Sequence, residues 1–307
     1  MKSMEKILER IIPVLNKNTE IEHRSPMWEW CQNENISVEM TVENMDNMCV
    51  NPLTFGFSYK SPEHVHYEAL WNLATSVGVR AVQNPEGGKN AIPIINQEEV
   101  TQVELLNRIE SALGFDITIP IFMGGFDGLI SDRCCHYLWV LKRIKELCPD
   151  RNSSILEIGA GLGILGYYLS KAGYGDYTTI DLAHANAIQT YFLSKNLPER
   201  NIFISGDLPD PFDVRYKDSI KILHASDFHD VGKNRFDLII NIDSLTEMEE
   251  HEARIYMQSD CAPLLLSINH EMNDYRIIDI CQPRRELKYR YPFWVRDGYV
   301  EELYKLV

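Results

Sequence analysis

The apolar positions of this chain change period along its length. At the N-terminus Met4, Ile7, Leu8, Ile11 and Ile12 recur at helical spacing, so residues 1–16 read as an amphipathic helix. "SPEHVHYEALWNLATSVG" opens with the start signal Ser61–Pro62 and runs as a helix to Gly78. "NQEEVTQVELLNRIESALG" predicts a further helix ending at Gly114. "SDRCCHYLWVLKRIKELCP" predicts another, capped by Ser131 or Asp132 and stopped by Pro149. Residues 17–62 are irregular and rich in Asn, Glu and Met, with Trp28 and Trp30 as anchors to a core. "NPEGGKN" is a loop, and "FMGGFDG" (122–128) is a glycine-rich turn or lid.

From Ser153 onward short apolar runs alternate with helical segments. "SSILEIGAG" is a strand and "LGILGYYLSKAG" a helix; "DYTTIDL" and "HANAIQTYFLSKN" repeat the pair. "IKILHASDF", "FDLIINIDSLTEM" and "APLLLSINHE" supply further strands, with a helix at "EMEEHEARIYMQSD". "NIFISGDLPDPFD" is an extra strand or an inserted loop. "LKYRYPFWV" and "YVEELYKLV" close the chain as an antiparallel hairpin. Such alternation predicts a parallel α/β sheet. The change in pattern divides the chain into a mainly helical region, 1–120, and a Rossmann-like region, 121–307.

Composition narrows the function. The formal net charge is -15 and no Lys/Arg run stands out, which disfavours a nucleic-acid partner. Seven cysteines, an odd number with no C-x-x-C pair, argue against a disulfide framework and a zinc knuckle. The N-terminus is charged and helical rather than a signal peptide, and no apolar run spans a bilayer. These features predict a cytoplasmic protein; nothing in the sequence sets its oligomeric state.

The chemistry begins at "ILEIGAGLGILGYYL". From Glu157 it reads E-x-G-x-G-x-G, through Gly159, Gly161 and Gly163; from Gly161 it reads G-x-G-x-x-G, ending at Gly166. The first spacing suits S-adenosylmethionine (SAM), the second a nicotinamide dinucleotide. In both, glycines let the backbone approach the ligand, and an acid about 20 residues on binds ribose. Asp181 has that spacing under either reading. The strand "ILEI" ends directly before Gly159, which favours the earlier register. Glu157 lies in an apolar strand, where a carboxylate is expensive unless it has a partner. Asp227 ends the third strand, followed by Phe228. In the earlier register Gly166 becomes a helix-to-strand packing residue.

On these residues the segment from about 121 to 307 resembles the class I SAM-dependent methyltransferases, and "FDLIINIDSLTEM" resembles the sugar O-methyltransferase family. The resemblance implies a seven-stranded Rossmann-like sheet with an antiparallel last strand and a mainly helical N-terminal extension over the acceptor. It implies SAM as cofactor: Glu157, Gly159, Ala160, Gly161 and Gly163 at the methionine end, Asp181 and Leu182 at the ribose, Asp227 and Phe228 at the adenine. Asn241, Arg133 and Tyr137 are further cofactor candidates, and Asp207 is a rival adenine acid.

Methyl transfer to a hydroxyl needs alignment and a base. Base candidates lie past the carboxyl ends of the central strands. They are His270, Asp243 and His251; His64 and His66 read as surface residues. Ser244 with Glu247 reads equally as a helix cap. Asp and His together can hold a divalent metal, but no metal motif is present and none is expected. The basic residues Arg284, Arg285, Lys288, Arg290 and Arg296 read as a solvated hairpin face or as an attractor for an anionic acceptor. The expected acceptor is a small molecule or glycan precursor. The rival readings are an N-methyltransferase on a peptide or small amine, a nicotinamide oxidoreductase, and a catalytically silent SAM-binding module.

Overall fold

The computed structural model describes residues 4–18, 41–45, 63–80, 100–119, 132–272 and 274–307. The expected lid at 122–128, Trp28 and Trp30, and the side chains of His64 and His66 lie outside the described set. Among the described residues, the helices before the sheet include α1 Met4–Asn18, α2 Glu63–Ser76, α3 Gln102–Leu113 and α4 Asp132–Leu147. Helix α3 shows why these segments end where they do. The Thr101 hydroxyl accepts from Glu104 N at 3.2 Å, and Gly114 takes the left-handed conformation (φ 84°) that closes the last turn.

The rest alternates strand and helix: β1 Ser154–Ile158, α5 Ile164–Lys171, β2 Asp176–Asp181, α6 Ala183–Asn196, β3 Ile202–Ile204, β4 Ser219–His224, β5 Leu238–Ile242, α7 Glu250–Gln258, β6 Leu264–His270, α8 Ile277–Ile280, β7 Arg285–Pro292 and β8 Tyr299–Leu306. The eight strands form one sheet in the order β3-β4-β2-β1-β5-β6-β8-β7. Strand β8 pairs antiparallel with both β6 and β7, so it alone runs against the others. This corrects the expected seven strands. The additional strand is β3, three residues paired with β4 at the sheet edge, from the segment read as an extra strand or loop.

β1 and β5 are buried throughout and read as near-continuous apolar runs, whereas β2, buried as far as Ile180, carries Asp176, Thr178 and Thr179 into the interior. The N-terminal helices share a core with one face of the sheet. Ile7, Leu70, Leu105, Leu138, Tyr168 and Phe192 belong to a single apolar cluster. α1 is tied to the β3 edge through Arg10, which bonds Ile202 O at 3.1 Å and pairs with Asp207. That pairing gives Asp207, the rival adenine acid, a structural partner. No helix among the described residues is long and apolar enough to cross a membrane.

Candidate functional site

The site forms where β1, β2, β5 and β6 end. β1 delivers Glu157 and stops at Ile158, and Gly159 N donates to Ile180 O of β2 at 2.9 Å. Gly159, Gly161 and Gly163 all have positive φ (69°, 56° and 85°), so each needs the freedom only glycine has without strain. Gly163 then caps α5. Ala160 is buried, and its carbonyl accepts from Gly163 N at 2.9 Å to tighten the loop. At Gly166 a β-carbon would stand 2.5 Å from Tyr177 Cε1, so this glycine lets α5 pack on β2.

Gly159 is the tightest point. A β-carbon there would lie 2.0 Å from Ser244 Oγ. Ser244 donates to Ile158 O at 3.1 Å and makes no side-chain cap bond, so it braces the loop rather than capping a helix. Gly159→Ala combines that clash with a left-handed alanine. The expected cost is roughly 2–4 kcal/mol, read as a lowered Tm in thermal unfolding. Adding Ser244→Gly should recover the part due to the clash and leave the backbone part.

Glu157 is fully buried. Tyr177 donates its hydroxyl to Oε2, while Oε1 has no hydrogen-bond partner. Burial pushes this carboxyl up to about 8, against the lowering effect of Tyr177, and the Asp181 charge adds to the rise. A raised carboxyl pKa gives stability that is full below the unfolded value near 4.3 and lost as pH rises to about 8. Glu157→Gln removes that loss. The Tm difference between variant and wild type should therefore grow from pH 5 to pH 8 in favour of the variant, while any ligand held by the carboxylate is lost.

Asp181, at the end of β2, is bonded into the loop. Its Oδ2 accepts from Gly161 N at 3.0 Å and Gln189 Nε2 at 2.8 Å, and its Oδ1 accepts from Leu182 N at 2.8 Å. Leu182 is the N-cap residue of α6. Across the sheet, Asp227 Oδ2 accepts from Ser205 Oγ at 2.7 Å and His224 N at 3.2 Å, closing a capping box on the turn 225–230. Phe228 is buried, with its ring 4.6 Å from that of Tyr256.

Asn241 has a different role from the cofactor contact expected of it. Its Nδ2 donates to Ile158 O (2.8 Å) and to Ser244 Oγ, and its Oδ1 accepts from Leu245 N (3.2 Å) and Asn269 Nδ2 (2.8 Å). All its hydrogen-bonding capacity is used inside the protein, so it latches β1, β5 and β6 together.

Asp243 follows β5 at φ 70° and is the hub of a charged cluster. It pairs with Arg296 Nη1 at 2.7 Å and Arg133 Nη1 at 3.3 Å, and it accepts from the Tyr299 hydroxyl at 2.5 Å. Burial alone would raise its pKa; Arg296, then Arg133 and the Tyr299 hydroxyl, outweigh burial and hold it below the ordinary Asp value. Asp243 is therefore an anion that organises its neighbours, and a poor base.

His270, the last residue of β6, places Nε2 4.0 Å from Asp243 Oδ1, with its ring 5.6 Å from that of Tyr299. Met272 N donates to Nδ1 at 3.4 Å, which leaves the ring proton on Nε2, toward Asp243. Tyr137, on α4 with Arg133, has its hydroxyl pKa raised by burial and by the Glu157 charge. His251 is exposed on α7. Arg296, expected only as one of a basic cluster on a solvated face or attracting an anionic acceptor, belongs to this hub as the ion-pair partner of Asp243, and Tyr299 joins it with no local motif to announce it.

Asp243, Glu247 and His270 bring ligand-type atoms within 4.8 Å of one another. Two guanidinium groups and a phenol already hold the Asp243 carboxylate, so the cluster as built is a charge-paired hub. The residues do fit SAM: a tight loop of positive-φ glycines, a buried carboxyl with an unbonded oxygen, and an acid on the neighbouring strand.

No family model and no curated protein matches the chain. Among solved structures it is similar to magnesium protoporphyrin IX methyltransferase from Synechocystis with bound SAM, at 16% identity and TM-score 0.41, over 56% of this chain and 80% of that one. It is similar to a SAM-dependent methyltransferase from Aquifex aeolicus, at 16% identity and TM-score 0.38, over 54% of this chain and 88% of that one. It is also similar to a tRNA (uracil-54, C5)-methyltransferase from Pyrococcus abyssi in complex with S-adenosylhomocysteine. That match has 15% identity and TM-score 0.38, over 57% of this chain and 38% of that one.

Proposed function

We propose that this chain is a SAM-dependent O-methyltransferase of the cytoplasm, acting on a sugar hydroxyl of a glycan or nucleotide-sugar precursor. The observation that carries the reading is Glu157. It is a buried carboxyl with an unbonded oxygen, directly before a loop of positive-φ glycines and one strand from Asp181. Its Oε1 lacks a partner in the protein alone, and a cation completes it.

In this reading Glu157 and residues 159–163 hold the methionine end, Asp181 and Leu182 the ribose, and Asp227 with Phe228 the adenine end. Arg133 and Tyr137 border the methionine end, and region 1–120 covers the acceptor. When bound, SAM supplies an electrophilic methyl group on a sulfonium. The chain's own residues prepare the acceptor. His270 Nδ1 takes the hydroxyl proton as the oxygen gains the methyl, displacing only a weak contact with Met272 N. Asp243, held as an anion, steadies the imidazolium that results.

Methyl-transfer screening against nucleotide sugars and glycan precursors, with mass detection, tests the reading. A single added methyl on a sugar oxygen supports it. Transfer only to a peptide or amine nitrogen, or none to any acceptor despite SAM binding, sinks it in favour of a rival.

A further inference from the structure

The β7–β8 turn carries a feature the proposed chemistry leaves unused. The hairpin extends to the carboxyl edge of the sheet, where Tyr299 pairs with His270 and Pro292 with Val300. In the turn Phe293 and Val295 are buried, with Phe293 edge-on to His136 at 5.8 Å, whereas Trp294 between them is 62% exposed. Two anchors thus hold an indole outward. Arg296, two residues on, is bonded to Asp243. Large exposed apolar rings are avoided where function does not need them. An indole offers a flat apolar face and one polar N–H edge, which suits a ring that is apolar on one face and hydroxylated at its rim.

The charges around the turn define that ring. Arg296 and Arg133 share Asp243, Arg290 is paired with Glu302 and Glu271, and Lys288 is paired with Glu286. Arg285 is fully buried on the carbonyls of Met257, Ser259 and Ala262. Of the sequence cluster read as an anion attractor, Lys288, Arg290 and Arg296 are thus paired with carboxylates and Arg285 is consumed on backbone carbonyls. A phosphate would have to break carboxylate pairs against a net charge of -15. Hydroxyl groups, in contrast, can bridge the guanidinium donors and the carboxylate acceptors without displacing either.

We propose that the β7–β8 turn sets acceptor specificity: Trp294 stacks on the face of an uncharged pyranose ring whose hydroxyls lie against Arg296 and Asp243. This rests on the methyltransferase reading of the site and narrows it away from phosphorylated and nucleotide-linked sugars. Saturation-transfer NMR on the full chain, with and without S-adenosylhomocysteine, tests it. The probes are methyl glucopyranoside, methyl galactopyranoside, glucose 1-phosphate and UDP-glucose. An uncharged glycoside should bind, Trp294→Ala should weaken it about tenfold, and Trp294→Phe should restore most of the loss. Three results would each overturn the proposal: preference for glucose 1-phosphate or UDP-glucose, no binding of either glycoside, or unchanged binding in Trp294→Ala. Calorimetry with S-adenosylhomocysteine separates the two readings. Wild type and Trp294→Ala should bind it equally, and failure of wild type to bind it counts against the cofactor site instead.

Discussion

His270→Ala should lower kcat by about 10²–10⁴-fold, the range for loss of a general base, while leaving S-adenosylhomocysteine affinity unchanged. The expectation rests on placement. His270 ends β6 beside the anionic Asp243, and its Nδ1 makes one long contact that a hydroxyl can displace. A neutral hydroxyl is a weak nucleophile, so losing the proton acceptor falls on the chemical step. Steady-state rates beside calorimetric affinities separate that effect from lost binding. An inert His270→Ala enzyme would favour the N-methyltransferase, because a free amine needs less help from a base. Asp243→Asn should lower the rate less, since it leaves the imidazole in place, but it also strips Arg296 and Arg133 of their shared counter-ion, so Tm should fall as well.

Asp181→Ala should weaken S-adenosylhomocysteine binding about 100-fold or more. Two effects combine. The ribose hydroxyls lose a charged acceptor, at about 1.5–3 kcal/mol per bond. The glycine loop also loses its tie, because Gly161 N and Gln189 Nε2 both donate to this carboxylate. Each 1.4 kcal/mol is about tenfold in affinity. Calorimetry measures the loss, and circular dichroism shows whether the sheet is intact. Asp181→Asn, which keeps an acceptor oxygen, should lose less.

The middle of the sheet was legible because β1, β5 and β6 are buried on both faces and so read as near-continuous apolar runs. The loop was legible because left-handed backbone at 159, 161 and 163 demands glycine, and that demand shows directly in the sequence. β3 read ambiguously because a three-residue edge strand has no periodicity to detect.

The hub was only partly legible. Asp243 and His270 stand at strand ends where chemistry is expected. Arg296 and Tyr299 meet Asp243 from 53 and 56 positions away, through a strand that returns antiparallel, and no local pattern reports such a meeting. Ser244 resembled a cap by its spacing to Glu247. Its actual partner is Ile158 O, across the sheet. Asn241 occupies a strand end like a ligand contact, yet its amide is consumed in holding neighbouring strands. Local chemistry suggested both residues, and tertiary pairing reassigned them.

The proposed function requires that the loop after β1, with Glu157 and Asp181, bind SAM rather than a dinucleotide. Isothermal titration of the full chain with S-adenosylhomocysteine and, separately, with NAD tests it most directly. The expected result is saturable binding of S-adenosylhomocysteine that is lost in Asp181→Ala, and no heat from NAD. Binding of NAD without S-adenosylhomocysteine, or equal affinity in wild type and Asp181→Ala, would contradict it.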